Sequence, residues 1–228
     1  MVVRPSLVCP NLNRISDEEA ACLIQPFSLL EINNAIWECD GDKALGPDGI
    51  NFHFIKRCWD GIQNDFFKLF DEFFVNASII PGCTPSFLAL IPKVNDPGGL
   101  GDYRPISLIG CVNKVISKVL VNRMKDVIQK LISEEQTTFL ANRSILDGPL
   151  MLNEILAWLK RTKKKGMLFK VDIEKAYDTL NWTFLDSILS QMNFPSKWRS
   201  WIMAIVLSPV PRSLLTGSLP WSSIVIGA

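Results

Sequence analysis

The sequence predicts an α+β fold, mostly helical with a small, incomplete antiparallel sheet, and three observations carry that prediction. Apolar residues recur at helical spacing in several separated stretches, two capping-box patterns open the chain, and only short runs have strand length and composition. With 228 residues, 48% of them hydrophobic, the chain can bury a sizeable core. No internal repeat or low-complexity linker marks a domain boundary, and the mixed order of elements fits α+β.

Ser16 with Glu19 and Ser28 with Glu31 each place an acceptor at the start of a helix and a carboxylate three residues on, and Leu29, Ile32 and Ile36 follow the second at helical spacing. Two short helices therefore open the chain. Gly46, Pro47, Asp48 and Gly49 predict a tight turn, because proline presets its φ and glycine tolerates positive φ. Ile62, Phe66, Leu69 and Phe73 predict an amphipathic helix whose phenylalanine stripe is core. Residues 87–91 read as a short strand ahead of Pro92 and Lys93, and glycine-rich residues 98–103 as a flexible loop. Val115, Ile116, Val119 and Met124 predict the next helix and residues 146–159 another. Residues 167–171 have strand length and composition, and helical spacing returns after Ile173.

A formal net charge of +1 supplies no general attraction to nucleic acid, so phosphate binding must come from local clusters. The densest is Lys160, Arg161, Lys163, Lys164 and Lys165, by default a solvated helix end. The six cysteines lack the short spacings of a zinc knuckle or redox motif and are expected to be reduced and mostly buried. His53, the one histidine, excludes a zinc site with two histidines and reads as a helix or core residue. The N-terminus lacks the pattern of a secretory signal, and residues 201–207 are too short to cross a bilayer, so an intracellular, non-membrane protein is expected.

The sharpest local feature is FKVDIEKAYD, residues 169–178, which sets Asp172 at the end of a predicted strand with a helix after it. A carboxylate there suits a divalent metal, since magnesium is held by one or two carboxylates, waters and substrate phosphates. On spacing alone, a helix cap or a solvated turn residue is the plainer reading.

Four separated segments resemble one family in the right order. KALGPDGI (residues 43–50) is similar to the segment preceding the fingers of non-LTR reverse transcriptases, and LIPK (90–93) with DYRPISL (102–108) to their first finger block. QTTFLANRSILD (136–147) resembles the next block, and FKVDIEKAYDTLNW (169–182) the first palm motif. The order and spacing are specific to this family, and LINE-type elements, particularly those abundant in plants, resemble the chain most. The wording is further from group II intron maturases. Ala44 and Leu45 stand where a small residue and proline are usual, and Asn142 where glycine is usual.

The resemblance implies the fingers and part of the palm of a right-hand polymerase. Residues 1–42 would form a helical lead-in, 43–165 a fingers-like region, 166–217 the first part of the palm and 218–228 a divergent tail. It implies Asp172 as catalytic and metal-binding aspartate, with the Ile173 backbone carbonyl beside the same Mg2+. Lys93 and Arg104 would contact the incoming triphosphate, and Ala176 and Tyr177 the nucleotide, Tyr177 as the aromatic gate against a ribose 2′-hydroxyl. An RNA template, a DNA primer and deoxynucleoside triphosphates are the implied partners. Without the resemblance, Lys93 and Arg104 read as surface charges beside prolines, and Tyr177 as a helix aromatic.

Asp186 is the last acidic residue, with none from Ser187 onward, whereas the family's second palm motif is an aspartate pair. The expectation is an RNA-directed DNA polymerase fragment truncated before that motif and catalytically incomplete. The alternative is a non-catalytic retrotransposon relic that at most binds RNA or primer-template.

Overall fold

The structure, a computed structural model, describes residues 8–171, 179–207 and 224–226. Among them eight helices and three short strands occur: α1 (Asp17–Leu23), α2 (Leu29–Trp37), α3 (Phe52–Arg57), α4 (Trp59–Asn76), β1 (Ser86–Pro92), β2 (Tyr103–Ile109), α5 (Cys111–Leu131), α6 (Asp147–Thr162), α7 (Trp182–Gln191), α8 (Ser196–Leu207) and β3 (Ile224–Ile226). The mostly helical α+β architecture is the one the sequence predicts. The chain divides into two compact units, one drawn from Met1–Ala20 and Met124–Phe194, the other from Ala21–Arg123 and Pro195–Ala228.

In the second unit, Ser28 caps α2 by accepting the Glu31 N–H at 3.2 Å, and Ile32, Ala35 and Ile36 turn inward. From α4 come Trp59, Phe70 and Phe73, and from α8 the fully buried Trp198 and Trp201. Phe27 lies at the centre, its ring 5.1 Å from Phe70 and 5.0 Å from Trp201. Charges close the cluster's rim: the Arg123 guanidinium sits 4.4 Å from the Phe27 centroid and the Lys197 ammonium 3.1 Å from that of Phe74. Arg123 also pairs with Glu31 at 2.6 Å and donates to the Leu23 and Gln25 carbonyls at 2.8 and 2.7 Å, satisfying the exit of α1.

The predicted phenylalanine stripe on α4 is only partly core. Phe73 is buried, but Ile62, Phe66 and Leu69 are half-buried and line a cavity of about 450 Å³ together with Phe54, Cys83 and Pro85. The other fully buried α4 ring is Phe70, one position beyond Leu69 and edge-on to Phe27, so the buried face is rotated from the stripe.

β1 and β2 form an antiparallel pair from Ser86↔Ile109 to Pro92↔Tyr103. β3 adds to the other side of β1 in parallel, giving the order β2-β1-β3. β1 falls where expected, whereas β2 was read only as a loop and a family segment. Pro105 lies within β2, which is tolerated because β2 is an edge strand and Pro105 needs no outward donor.

In the first unit, Ser16 and Glu19 form the reciprocal capping box read from the sequence, with bonds of 2.9 and 3.2 Å. Lys130 pairs with Glu19. Asn193, at φ 71°, donates to the Ile15 carbonyl at 3.0 Å and fastens the α7 exit to the chain start. Arg143 caps the end of α5 by donating to the carbonyls of Ile132 at 2.9 Å, Ser133, and Gln136 at 2.6 Å.

Two expectations are corrected here. Residues 167–171 form no strand: Met167, Leu168, Phe169 and Val171 are exposed, and no described strand pairs with them. Strand composition fixes no strand without a neighbour for its ladder. All six cysteines are free, but only Cys111 is buried, Cys22 is exposed and the others are intermediate. His53 lies on α3, exposed, with Nε2 3.0 Å from Asp42 Oδ1.

Candidate functional site

Lys93 and Arg104 meet at one end of the β1–β2 hairpin. Lys93 follows β1 directly, and its N–H donates to the Asp102 carbonyl at 2.7 Å, carrying the ladder one step past Pro92↔Tyr103. Arg104 stands opposite Ile91. Opposed residues share a face, as do residues two apart on a strand, so Lys93 and Arg104 leave the same face as diagonal neighbours. Such neighbours are about 7–8 Å apart at the backbone, close enough for two long cationic side chains to converge on one polyphosphate. Both are exposed. The Lys93 ammonium donates to the Gly101 carbonyl at 2.8 Å, and the Arg104 guanidinium makes no hydrogen bond or ion pair among the described residues.

The connecting loop is braced, contrary to the expectation of a flexible one. Asp102 accepts the Gly98 and Gly99 N–H groups at 3.0 and 3.2 Å, and a 3-10 turn at Leu100–Asp102 returns the chain to β2. These bonds fix the reach of the loop between the two cations.

A clasp from far upstream holds the other end of β2. The Gly49 N–H donates to the Gly46 carbonyl at 3.0 Å, with Gly49 at φ 65°, which is the tight turn the sequence predicts. That turn aims Asp48 at the start of α5, where Oδ2 accepts the Cys111 N–H at 2.5 Å and Oδ1 the Ile50 N–H at 3.3 Å. A carboxylate there meets both the free N–H groups and the positive end of the helix. Neither flanking glycine can carry a side chain freely, since a Cβ on Gly46 would lie 2.5 Å from the Ile109 carbonyl oxygen and one on Gly110 2.9 Å from Asp48 Oδ2. The Cys111 thiol donates to the Ile50 carbonyl at 3.0 Å, and burial first, then the Asp48 carboxylate, pushes its pKa up to about 11. The role of Asp48 was missed at the sequence level. Its signal was present, an aspartate inside a turn that needs glycine on both sides.

Asp172, Ile173, Ala176 and Tyr177 lie outside the described residues. Among the described residues no group of three or more His, Cys, Asp or Glu could hold a metal, and no helix is long and apolar enough to cross a membrane.

Residues 91–227 match the family described as reverse transcriptase (RNA-dependent DNA polymerase), a match that starts in the hairpin. The chain is 25% identical over 194 residues to the Transposon TX1 uncharacterized 149 kDa protein of Xenopus laevis, covering 85% of this chain and 15% of that protein. It is 24% identical over 206 residues to the Retrovirus-related Pol polyprotein from type-1 retrotransposable element R2 of Bradysia coprophila, covering 90% and 23%. The R2 polyprotein of Nasonia vitripennis is 24% identical over 203 residues, covering 86% and 18%. The chain thus spans under a quarter of the length of these curated relatives. It belongs to the reverse transcriptase family, and its relatives are proteins of non-LTR retrotransposons. The family's chemistry uses a divalent metal.

Proposed function

We propose that the chain supplies the nucleotide-contact face of an RNA-directed DNA polymerase, with deoxynucleoside triphosphates, an RNA template and a DNA primer as substrates. Residues 43–165 act as the fingers-like region and 166–217 as the first part of the palm. The observation that carries this reading is the hairpin register that puts Lys93 and Arg104 on one face. Arginine's planar fork takes two phosphate oxygens at once, and lysine adds a mobile point charge. The clasp at Asp48 holds β2, and through it Arg104, in place.

For the metal, the donor set fits: the Asp172 carboxylate and the Ile173 carbonyl are hard oxygen ligands of the kind Mg2+ takes beside substrate phosphates. When bound, the metal would neutralise charge on the transferring phosphate. By the resemblance, Ala176 and Tyr177 would contact the nucleotide, and the Tyr177 ring would exclude a 2′-hydroxyl by bulk.

Titrating the 228-residue chain with a fluorescent deoxynucleoside triphosphate in Mg2+ tests the assignment. Arg104→Ala and Lys93→Ala should each weaken binding about tenfold or more, the loss of a charge-assisted hydrogen bond. Equal affinity in wild type and both variants would remove the two residues from the site.

A second reading is a chain that holds nucleotide and nucleic acid without joining them. In-line transfer needs ligands for two metals a few ångströms apart. Extension of an oligo(dT) primer on poly(A) by these 228 residues, lost in Asp172→Ala, would decide for the polymerase.

A further inference from the structure

From the end of α6 into the segment after it, the chain presents a run of cations and aromatic rings, with Glu154 lining the same pocket as Trp158 and Arg161. Between Glu154 and Asp172 the sequence has Lys160, Arg161, Lys163, Lys164, Lys165 and Lys170, and no aspartate or glutamate. All six are exposed and none forms an ion pair among the described residues. In a chain of net charge +1 this is a concentrated local field.

The helix end is a built structure. Lys163 takes the left-handed conformation at φ 55°, the Lys164 N–H donates to the Leu159 carbonyl at 3.1 Å and the Lys163 N–H to the Lys160 carbonyl at 3.3 Å, the two bonds of a Schellman ending. A left-handed backbone at a lysine costs free energy that glycine would not incur. Gly166 then passes so close to α6 that a Cβ on it would lie 2.6 Å from Leu159 Cδ1. This reversal lays the Lys164 ammonium 4.7 Å from the Trp158 ring centroid. Trp158 stays 43% exposed, and Phe169, one residue before Lys170, is 79% exposed. A row of exposed cations beside exposed rings is the combination that binds single strands, with charges tracking phosphates and rings stacking on bases.

We propose that Lys160–Lys170, with Trp158, is a binding site for single-stranded nucleic acid, RNA foremost. The proposal rests on the polymerase reading for its choice of nucleic acid over other polyanions. Its residues are separate from the hairpin that contacts nucleotide, so the two ideas fail separately.

The test is fluorescence anisotropy of a 20-nucleotide unstructured RNA with the full 228-residue chain across a salt series. Each phosphate neutralised on a single strand contributes about −0.7 to the slope of log affinity against log salt. Lys163→Gln/Lys164→Gln/Lys165→Gln should flatten that slope by about 2, while Lys68→Gln, removing a lysine already paired with Asp65, should leave it unchanged. Trp158→Phe should keep the affinity, and Trp158→Ala should weaken it roughly tenfold at unaltered slope. Circular dichroism checks that each variant keeps its helices. A wild-type slope retained by the triple variant, or a wild type that fails to bind RNA, overturns the proposal and leaves Lys93 and Arg104 untouched. Binding to phosphatidylserine vesicles in place of RNA, lost in the triple variant, would assign the cluster to lipid and equally overturn it.

Discussion

Helices α8 and α6 both carry large apolar side chains and have opposite fates. α8 buries Trp198 and Trp201 completely, Trp201 against Phe27 and against Phe73 and Phe74 of α4. α6, longer by four residues, buries none of its side chains, leaving Leu150, Met151, Ile155 and Leu156 open to solvent. Apolar spacing makes a helix with a stripe, but burial belongs to the pair of elements that meet. The difference therefore measures partnership and not propensity.

Truncating the α8 side of this contrast has the largest expected effect. Trp201→Ala removes the ring that Phe27, Phe73 and Phe74 pack against, and should cost about 3–5 kcal/mol by urea unfolding of the 228-residue chain. Trp201→Phe separates packing from polarity. The buried indole N–H finds no acceptor among the described residues, so the phenyl ring retains much of the contact and removes an unpaired donor. Its cost should be well below that of alanine, and equal costs would mean that ring area does not set the value of this position.

How much of this was legible in the sequence follows the same division. Local features transferred well: the Ser16 capping box, the Ser28 half of the second, the turn through Gly49, strand β1, and helices α5 and α6 stand where side-chain chemistry and spacing put them. What failed depended on distant segments. The Phe66 side of α4 was expected in the core, yet Phe70 is the ring buried there and Phe66 lines a cavity. Residues 167–171 had a strand's composition and no described partner, and β2 hid behind its proline because edge position is invisible in one dimension. At the site, Lys93 and Arg104 were named one by one through family resemblance, while their shared face came from register. Asp48 was seen as a turn residue, and only the fold shows the helix start it serves, 63 positions away.

The clasp at that helix start sharpens the comparison at intermediate size. Burial and Asp48 raise the Cys111 thiol from an ordinary 9.0 to about 11, so the folded chain keeps a proton that the unfolded chain releases. The stabilising contribution is complete below pH 9.0 and is lost as pH rises through 9.0 to about 11. The loss is at most about 1.4 kcal/mol for each pH unit in that window, and less with solvent screening. Stability measured against pH in wild type and Cys111→Ala should run parallel below the window and converge within it. Parallel curves throughout would show the thiol to be as accessible as that of Cys22.

The smallest effect is expected on α6, and it is the one that can break the comparison. Leu150→Gln and Ile155→Gln replace side chains that are 60% and 50% exposed, so little apolar contact is lost and glutamine keeps nearly the helix propensity of leucine. Each should change the unfolding free energy of the 228-residue chain by no more than about 0.5 kcal/mol, against several for Trp201→Ala. The two changes lie five positions apart on one helix and share no described partner, so their effects should also add when combined. A loss of 2 kcal/mol or more at either position, on the order of a core truncation, would mean that α6 is packed in solution. The apolar row would then be a buried face, and the contrast between the helices would reduce to one of position along the chain.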